Sequence, residues 1–158
     1  MKHYSTVREV IFRGKRTDNG EWIEGSLLGI DWCDKPSTYS IAPNTPVSTF
    51  YSIIPETVGQ YTGLTDKNGV RIFEGDIVRA TIERAERCQS PRIENGVIGY
   101  DCIGMIGLIL YKDKNGENVW SDFFNELSLS GLIEDYYFEI IGNIHDNPDI
   151  LKGGGDNG

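Results

Sequence analysis

Short runs of alternating apolar and polar residues, separated by turn signals, fill most of this 158-residue chain. Such alternation is typical of half-buried β-strands, and no segment has the longer period of an amphipathic helix. The first two runs are Val7–Arg13 and Trp22–Ile30, and the stretch Thr17–Gly20 between them ends in Asn-Gly. Because Asn and Gly tolerate positive φ, we predict that the two runs form a β-hairpin.

Later runs of the same kind bring the prediction to about eight to ten strands, and hence to a mostly β chain. These runs are Phe50–Val58, Gly75–Ile82, Gly96–Tyr111 and Tyr136–Ile141. Asn-Gly turns are predicted at Asp66–Gly69 and Lys114–Gly116, and a break near Gly104 divides one run into two strands. We also predict a short helical turn at Phe124–Leu127.

The stretch from Asp31 to Thr49 is different because it contains Pro36, Pro43 and Pro46. Proline fixes φ and lacks an amide proton, so it is excluded from helix interiors and central strands. We therefore predict an irregular excursion here, with one short strand at Thr38–Ile41.

The chain is acidic, with 24 Asp and Glu against 15 Lys and Arg, a formal net charge of −9. This charge argues against broad binding to a phosphate backbone. The basic residues that cluster in sequence are Arg79, Arg84, Arg87 and Arg92. Because Glu83, Glu86 and Glu94 lie among them, we interpret the cluster as a solvated, salt-bridged loop.

Three cysteines without close pairing indicate neither a disulfide framework nor a zinc site. Met1–Ser5 leads directly into polar sequence, and the longest apolar run, Ile103–Tyr111, is too short to span a bilayer. We expect a soluble protein without membrane association, in a reducing cytoplasm.

Three blocks carry a family signature in their order and spacing: Phe12–Gly25, Val58–Val78 and Phe138–Pro148. In these blocks the chain resembles the YopX-like proteins of bacteriophages and prophages. The resemblance implies a phage or prophage origin, an SH3-like barrel in the C-terminal half and a homo-oligomer, either a trimer or a dimer. We expect an N-terminal β lobe over residues 1–60, packed on a barrel over residues 61–148, with a disordered tail over residues 149–158.

The resemblance implies no activity and supplies no catalytic, cofactor-binding or metal-binding residue. Its shared residues have a structural interpretation, because they are the types that form tight turns and strand entries. They are Gly59, Gln60, Tyr61, Thr62, Gly63, Leu64, Asp66, Asn68, Gly69, Glu74, Gly75, Asp76, Gly142, Asn143, Asn147 and Pro148.

Three functional classes remain open. A metal-dependent hydrolase would need carboxylates and histidine to converge, and its candidates are Asp66, Glu74, Asp76, His145 and Asp146. A nucleic-acid-binding barrel would need aromatic stacking platforms, and its candidates are Tyr100, Tyr111, Trp120, Phe123 and Phe124. Without ligand spacing for the first class, and with acidic residues around the aromatics of the second, the leading hypothesis is a non-catalytic module that binds phage or host protein or itself. We expect that the protein is not an enzyme and that it binds no cofactor.

Overall fold

The structure is a computed structural model that describes residues 10–32, 35–46, 48–84, 90–101, 104–112, 114–122 and 133–151. Within these residues lie the strands β1 (Phe12–Lys15), β2 (Trp22–Trp32), β3 (Lys35–Ala42), β4 (Tyr51–Ser52), β5 (Gly59–Thr65), β6 (Arg71–Phe73), β7 (Asp76–Arg84), β8 (Arg92–Tyr100), β9 (Ile106–Lys112), β10 (Asn118–Trp120) and β11 (Ile133–Asn143). A single 3-10 turn, Pro55–Thr57, completes these described elements. The prediction of a mostly β chain is confirmed.

Contacts between Cα atoms divide the chain into two compact units, Met1–Gly63 and Leu64–Gly158. The predicted boundary after residue 60 and the packing of one lobe on the other stay predictions. Three earlier expectations fall outside the described residues: the strand start Val7–Glu9, the helical turn Phe124–Leu127 and the tail from residue 152 onward.

In the first unit, β1 and β2 form the predicted antiparallel hairpin, in register from Phe12↔Gly25 to Lys15↔Trp22. The turn between them contains Gly20, whose φ is +72°. The strand order continues β4-β3-β2-β1-β5. One face of this sheet is buried around Ile41 and Ile53, which are 0% and 2% exposed. Full burial of such side chains contributes about 1.5 to 3 kcal/mol each.

The proline-rich stretch is more regular than predicted. Instead of a short strand at Thr38–Ile41, β3 runs through eight residues and lies between β2 and β4. Pro36 is the second residue of this strand, beside a register shift between Ile30 and Trp32 of β2. A proline at a strand end or a bulge leaves the rest of the ladder intact, so the expectation of an irregular excursion was wrong at this position.

In the second unit, five strands follow the order β10-β9-β8-β7-β11, all antiparallel. The two strands predicted on either side of Gly104 are β8 and β9, and Gly104 has a φ of +78°. The longer strands of this sheet, together with β6, contribute side chains to one buried hydrophobic cluster. It consists of Ile72, Val78, Ala80, Ile82, Ile98, Leu108 and Phe138.

The SH3-like barrel is not confirmed. In a closed barrel, the two edge strands of the sheet pair with each other, so that no edge remains. Among the described residues, β10 and β11 are the two edges of the five-stranded sheet, and each pairs with one strand. What the described residues establish is therefore two antiparallel sheets, neither of them closed.

Candidate functional site

The family-motif residue Asp66 organises a tight turn in the second unit. Its carboxylate Oδ1 accepts hydrogen bonds from the amides of Asn68 at 2.8 Å and Val70 at 2.9 Å. Gly69 has a φ of +80° and donates its amide to the Asp66 carbonyl at 2.9 Å. A β-carbon would strain that backbone, so Asn-Gly suits this position.

The same turn covers part of the outer edge of β11. The Lys67 amide donates to the Phe138 carbonyl at 2.8 Å, and the Ile140 amide donates to the Asp66 carboxylate. Burial alone would raise the pKa of Asp66, but the hydrogen bonds from Val70, Asn68 and Ile140 outweigh it and lower that pKa. An open sheet edge is a template for unwanted strand pairing, and this turn occupies one stretch of it.

A second motif turn precedes β7. The Phe73 amide donates to the Asp76 carboxylate at 2.8 Å, and Asp76 is only 1% exposed. Gly75 has a φ of +85°, and its amide donates to the Ile98 carbonyl at 2.9 Å. The Ile144 amide donates to the Gly75 carbonyl at 3.0 Å. The central and C-terminal family blocks therefore meet at Gly75.

The C-terminal block ends in a loop built on Asn143. Its side-chain oxygen accepts the amides of His145 and Asp146, each at 2.9 Å, and its side-chain nitrogen donates to the Asp146 carboxylate at 2.9 Å. The Asn147 amide donates to the Asn143 carbonyl at 2.9 Å. A β-carbon on Gly142 would lie 2.7 Å from the Asn147 side-chain oxygen, so a larger residue would disturb the loop.

The remaining motif residues lie on or beside the same elements. Gly59 to Leu64 are in β5, where Tyr61 donates its amide to the Ile11 carbonyl at 2.8 Å. Glu74 precedes Gly75 in the turn before β7, and Pro148 follows the Asn143 loop. These positions agree with the structural interpretation, while a purely structural role for all sixteen stays a prediction.

The structure brings only some of the hydrolase candidates together. His145 lies beside the turn before β7, with its Nε2 3.9 Å from the position of a β-carbon on Gly75. Asp66 and Asp76 accept backbone amides in two different turns. Within the described ranges, no group of three or more His, Cys, Asp or Glu residues is placed to hold a metal ion.

Two of the clustered arginines in the second unit are ion-paired. Arg79 lies 3.2 Å from the Glu139 carboxylate, and Arg92 lies 2.5 Å from both Glu94 and Asp122. Hydrogen bonding from the Arg92 guanidinium lowers the pKa of Asp122. The Arg84 side chain and all of Arg87 lie outside what the structure describes.

The aromatic candidates for base stacking are only partly described. A β-carbon on Gly107 would lie 2.5 Å from the Trp120 ring, so this ring lies against the sheet where glycine leaves space. Tyr100 is half-buried at the end of β8. The Tyr111 side chain and residues Phe123 and Phe124 fall in the parts that the structure does not describe.

Sequence reasoning missed a surface on the first unit, which we call the Trp22 face and which consists of Arg13, Lys15 and Trp22. The Arg13 guanidinium lies 4.8 Å and the Lys15 ammonium 5.5 Å from the centre of the Trp22 ring. Both distances are within the range of cation–π attraction. The available signal was the spacing of Arg13, at the end of the first run, and Lys15, two residues later, together with Trp22 at the start of the second run.

A second cation–aromatic pair lies at the end of β1. The Arg16 guanidinium is 4.1 Å from the centre of the Tyr51 ring and pairs with the Asp18 carboxylate at 2.5 Å. The side-chain hydrogen bond from Arg16 lowers the pKa of Asp18. The first unit thus carries several cations in contact with aromatic rings.

The two units differ strongly in charge. Residues 1–63 contain six Lys and Arg against seven Asp and Glu, whereas residues 64–158 contain nine against seventeen. Nearly all of the net charge therefore belongs to the second unit, and the first is close to neutral.

In the described residues, no helix is long and apolar enough to cross a membrane.

Taken together, the described strands and turns define a two-unit antiparallel β protein whose motif residues form turns and whose first unit carries a cation–aromatic surface. Residues 11–152 match the family described as YopX protein, so the chain belongs to the YopX protein family. Among solved structures, the chain is similar to the crystal structure of protein EF1440 from Enterococcus faecalis. The two sequences are 23% identical, the match covers 92% of this chain and 99% of that one, and the TM-score is 0.42. No curated protein matches the chain.

Proposed function

We propose that this protein is a phage or prophage accessory protein that works by binding protein, whether phage protein, host protein or its own copies, and that it is not an enzyme. The observation that carries the proposal is the Trp22 face. Tryptophan and arginine are enriched where proteins bind each other, and they dominate the energy of many interfaces. A cytoplasmic location in the bacterial host belongs to this proposal.

The hydrogen bonds that the motif carboxylates accept support the part of this proposal that the protein is not an enzyme. Asp66 and Asp76 accept backbone amides at 2.8 to 2.9 Å, and Asn143 holds Asp146. Side chains that are hydrogen-bonded in this way stabilise turns. An SH3-like second unit is part of the same proposal. It is supported by the meander from β7 to β10, after which β11 returns beside β7.

A nucleic-acid-binding module is the second candidate, because cations and aromatic rings also bind single strands. On the Trp22 face the cations lie over the tryptophan ring itself, where a base would have to stack. In the second unit, Arg79 and Arg92 are paired with carboxylates. Both observations favour a protein partner.

Affinity capture from phage-infected or induced cells tests the proposal, using the immobilised full chain and identifying what co-purifies. A variant with Arg13→Gln and Lys15→Gln removes two cations from the Trp22 face. The matched control, Lys112→Gln with Lys114→Gln, removes two exposed cations from the second unit. We expect a recurring protein that the control retains and the Trp22-face variant loses. Recurring nucleic acid that is released by nuclease treatment would contradict the proposal.

A further inference from the structure

Asparagine is followed directly by glycine at several places in the fold. Such pairs are chemically labile, because the glycine amide nitrogen can reach the asparagine side-chain carbon without a neighbouring side chain in its way. The attack requires the backbone to leave its folded conformation, so its rate depends on how easily each site opens. The described residues contain the pairs Asn19–Gly20, Asn68–Gly69, Asn95–Gly96 and Asn115–Gly116, and a further pair, Asn157–Gly158, lies outside them.

In the β1–β2 turn, hydrogen bonds hold the side chain of Asn19 at both of its polar atoms. Its Nδ2 donates to the Glu21 carboxylate at 2.8 Å, and its Oδ1 accepts the Glu21 amide at 3.0 Å. The Gly20 amide, which would have to attack, donates to the Arg16 carbonyl at 3.0 Å. The reaction at Asn19 therefore requires several hydrogen bonds to break together.

The turn that contains Asn68 is fastened to the rest of the second unit. Its own amide donates to the Asp66 carboxylate at 2.8 Å, and the Gly69 amide donates to the Asp66 carbonyl at 2.9 Å. The Lys67 amide between them donates to the Phe138 carbonyl at 2.8 Å. This turn cannot open without releasing a stretch of β11.

The third pair lies inside the five-stranded sheet. Asn95 and Gly96 belong to β8, which is hydrogen-bonded to β7 on one side and to β9 on the other. Gly96 is buried opposite Val78, and a β-carbon on it would lie 2.7 Å from the Ile109 carbonyl oxygen. Opening at this pair requires a central strand to separate from both neighbours.

The fourth pair lies in the turn between β9 and β10, where the structure is least enclosed. Residues 114–118 are all exposed, and Gly116 has a φ of +81°. The strand that follows, β10, has only three residues and pairs with β9 alone among the described strands. Its register also shifts between Val119 and Trp120. A short edge strand opens at a lower free energy than a central strand or a fastened turn.

We propose that Asn115 is a site of spontaneous deamidation in the folded protein. The Gly116 amide nitrogen loses its proton to hydroxide and attacks Cγ of Asn115, and the Cγ–Nδ2 bond breaks as ammonia leaves with a proton from water. The product is a cyclic imide, which water then opens. Opening at Cγ gives aspartate, and opening at the main-chain carbonyl carbon gives isoaspartate. The whole reaction consumes one water molecule and releases one ammonia.

This conversion changes the β9–β10 hairpin in two ways. Either product adds a carboxylate two residues before Glu117. Isoaspartate also routes the main chain through the side chain and lengthens it by one carbon, so that Asn118 no longer fits opposite Lys112 in the observed register. The edge strand that places the Trp120 ring near Gly107 is therefore lost in the isoaspartate form.

Peptide mapping by mass spectrometry tests the proposal on the purified full chain, incubated at mildly alkaline pH. We expect Asn115 to convert roughly tenfold faster than Asn19, Asn68 or Asn95. In concentrated urea, where the chain is unfolded, the four rates should become similar. The proposal is overturned if another of these four converts first in the folded chain, or if the four rates are the same with and without urea.

Two variants test that local opening controls the rates. Asn115→Gln would have to form a larger ring, so conversion at this position should stop while the other three rates stay unchanged. Asp66→Ala releases the turn around Asn68 and should accelerate conversion there more than at Asn115. Circular dichroism establishes that each variant is folded. An unchanged rate at Asn68 in a folded Asp66→Ala chain would contradict control by local opening.

Discussion

The Ile144 amide and the Gly75 carbonyl are joined by a 3.0 Å hydrogen bond between two distant parts of the chain. A second bond of this kind joins the Lys67 amide to the Phe138 carbonyl at 2.8 Å. Both bonds link the central family block to the C-terminal one. The spacing of those blocks therefore reflects a requirement of the second unit's fold, in which β11 must lie beside β7 and reach both turns.

Replacing Asp66 should destabilise the protein because three amides lose a charged acceptor. Hydrogen bonds to a charged group contribute about 1.5 to 3 kcal/mol each, and some of the freed amides regain water. We expect Asp66→Ala to lower the free energy of unfolding by roughly 2 to 4 kcal/mol in urea denaturation. Glu83→Ala, on an exposed residue of β7, is the control and should change it by less than about 0.5 kcal/mol.

The lowered pKa of Asp66 predicts sensitivity to acid. A carboxyl whose pKa is lower in the folded than in the unfolded state stabilises the fold above its unfolded pKa of about 3.9 and loses that contribution as the pH falls through the folded pKa. Unfolding free energy should therefore fall less steeply below about pH 4 in Asp66→Asn than in the wild type. Both proteins are measured in 1 M salt, which screens the exposed ion pairs that Asp18 and Asp122 form with arginine. Equal slopes in the two proteins would refute the assignment.

Two glycines of β2 should respond differently to alanine. At Gly25 a β-carbon would overlap the Ala42 carbonyl and lie 2.9 Å from the Pro43 Cα, which is backbone and cannot move aside. At Gly29 the nearest atom, 3.2 Å away, belongs to the Tyr39 ring, which can rotate. We expect Gly25→Ala to cost roughly 3 kcal/mol and Gly29→Ala less than about 1 kcal/mol. Thermal unfolding of both variants measures the difference, and similar midpoints would contradict the β2–β3 register.

Generic DNA should not bind appreciably at physiological salt. Phosphate contacts supply nearly all non-specific affinity, and the net charge of −9 opposes them. Fluorescence anisotropy with unrelated single- and double-stranded oligonucleotides measures this. Salt-sensitive binding in the micromolar range that is lost on Arg84→Glu with Arg87→Glu would reverse the ranking of the two functions.

Local chemistry made the turns predictable from sequence. Gly20, Gly69 and Gly116 have φ values of +72°, +80° and +81°, and each follows an asparagine. The pairing of β1 with β2 followed from alternation and from the turn between them. In each case the decisive interaction lies within a few residues.

Interactions between distant residues were not predictable in the same way. Nothing near Asp66 in the sequence indicates that its carboxylate will accept the Ile140 amide. The regularity of β3 depended on where Pro36 falls relative to a bulge in β2. The Trp22 face was also missed, because the register of the hairpin determines which cation lies over the ring.

Protein synthesis proceeds from the N-terminus, and this order has a consequence for the second unit. Its last strand, β11, pairs with β7 along nearly its whole length. At about 5 to 20 residues per second, the ribosome needs several seconds to pass from the end of β7 at Arg84 to the start of β11 at Ile133. During that interval β7 has one unpaired side in the nascent chain, whereas the β1–β2 hairpin is already complete. Until the C-terminal block emerges, that side is open to pairing with the strand of another nascent chain.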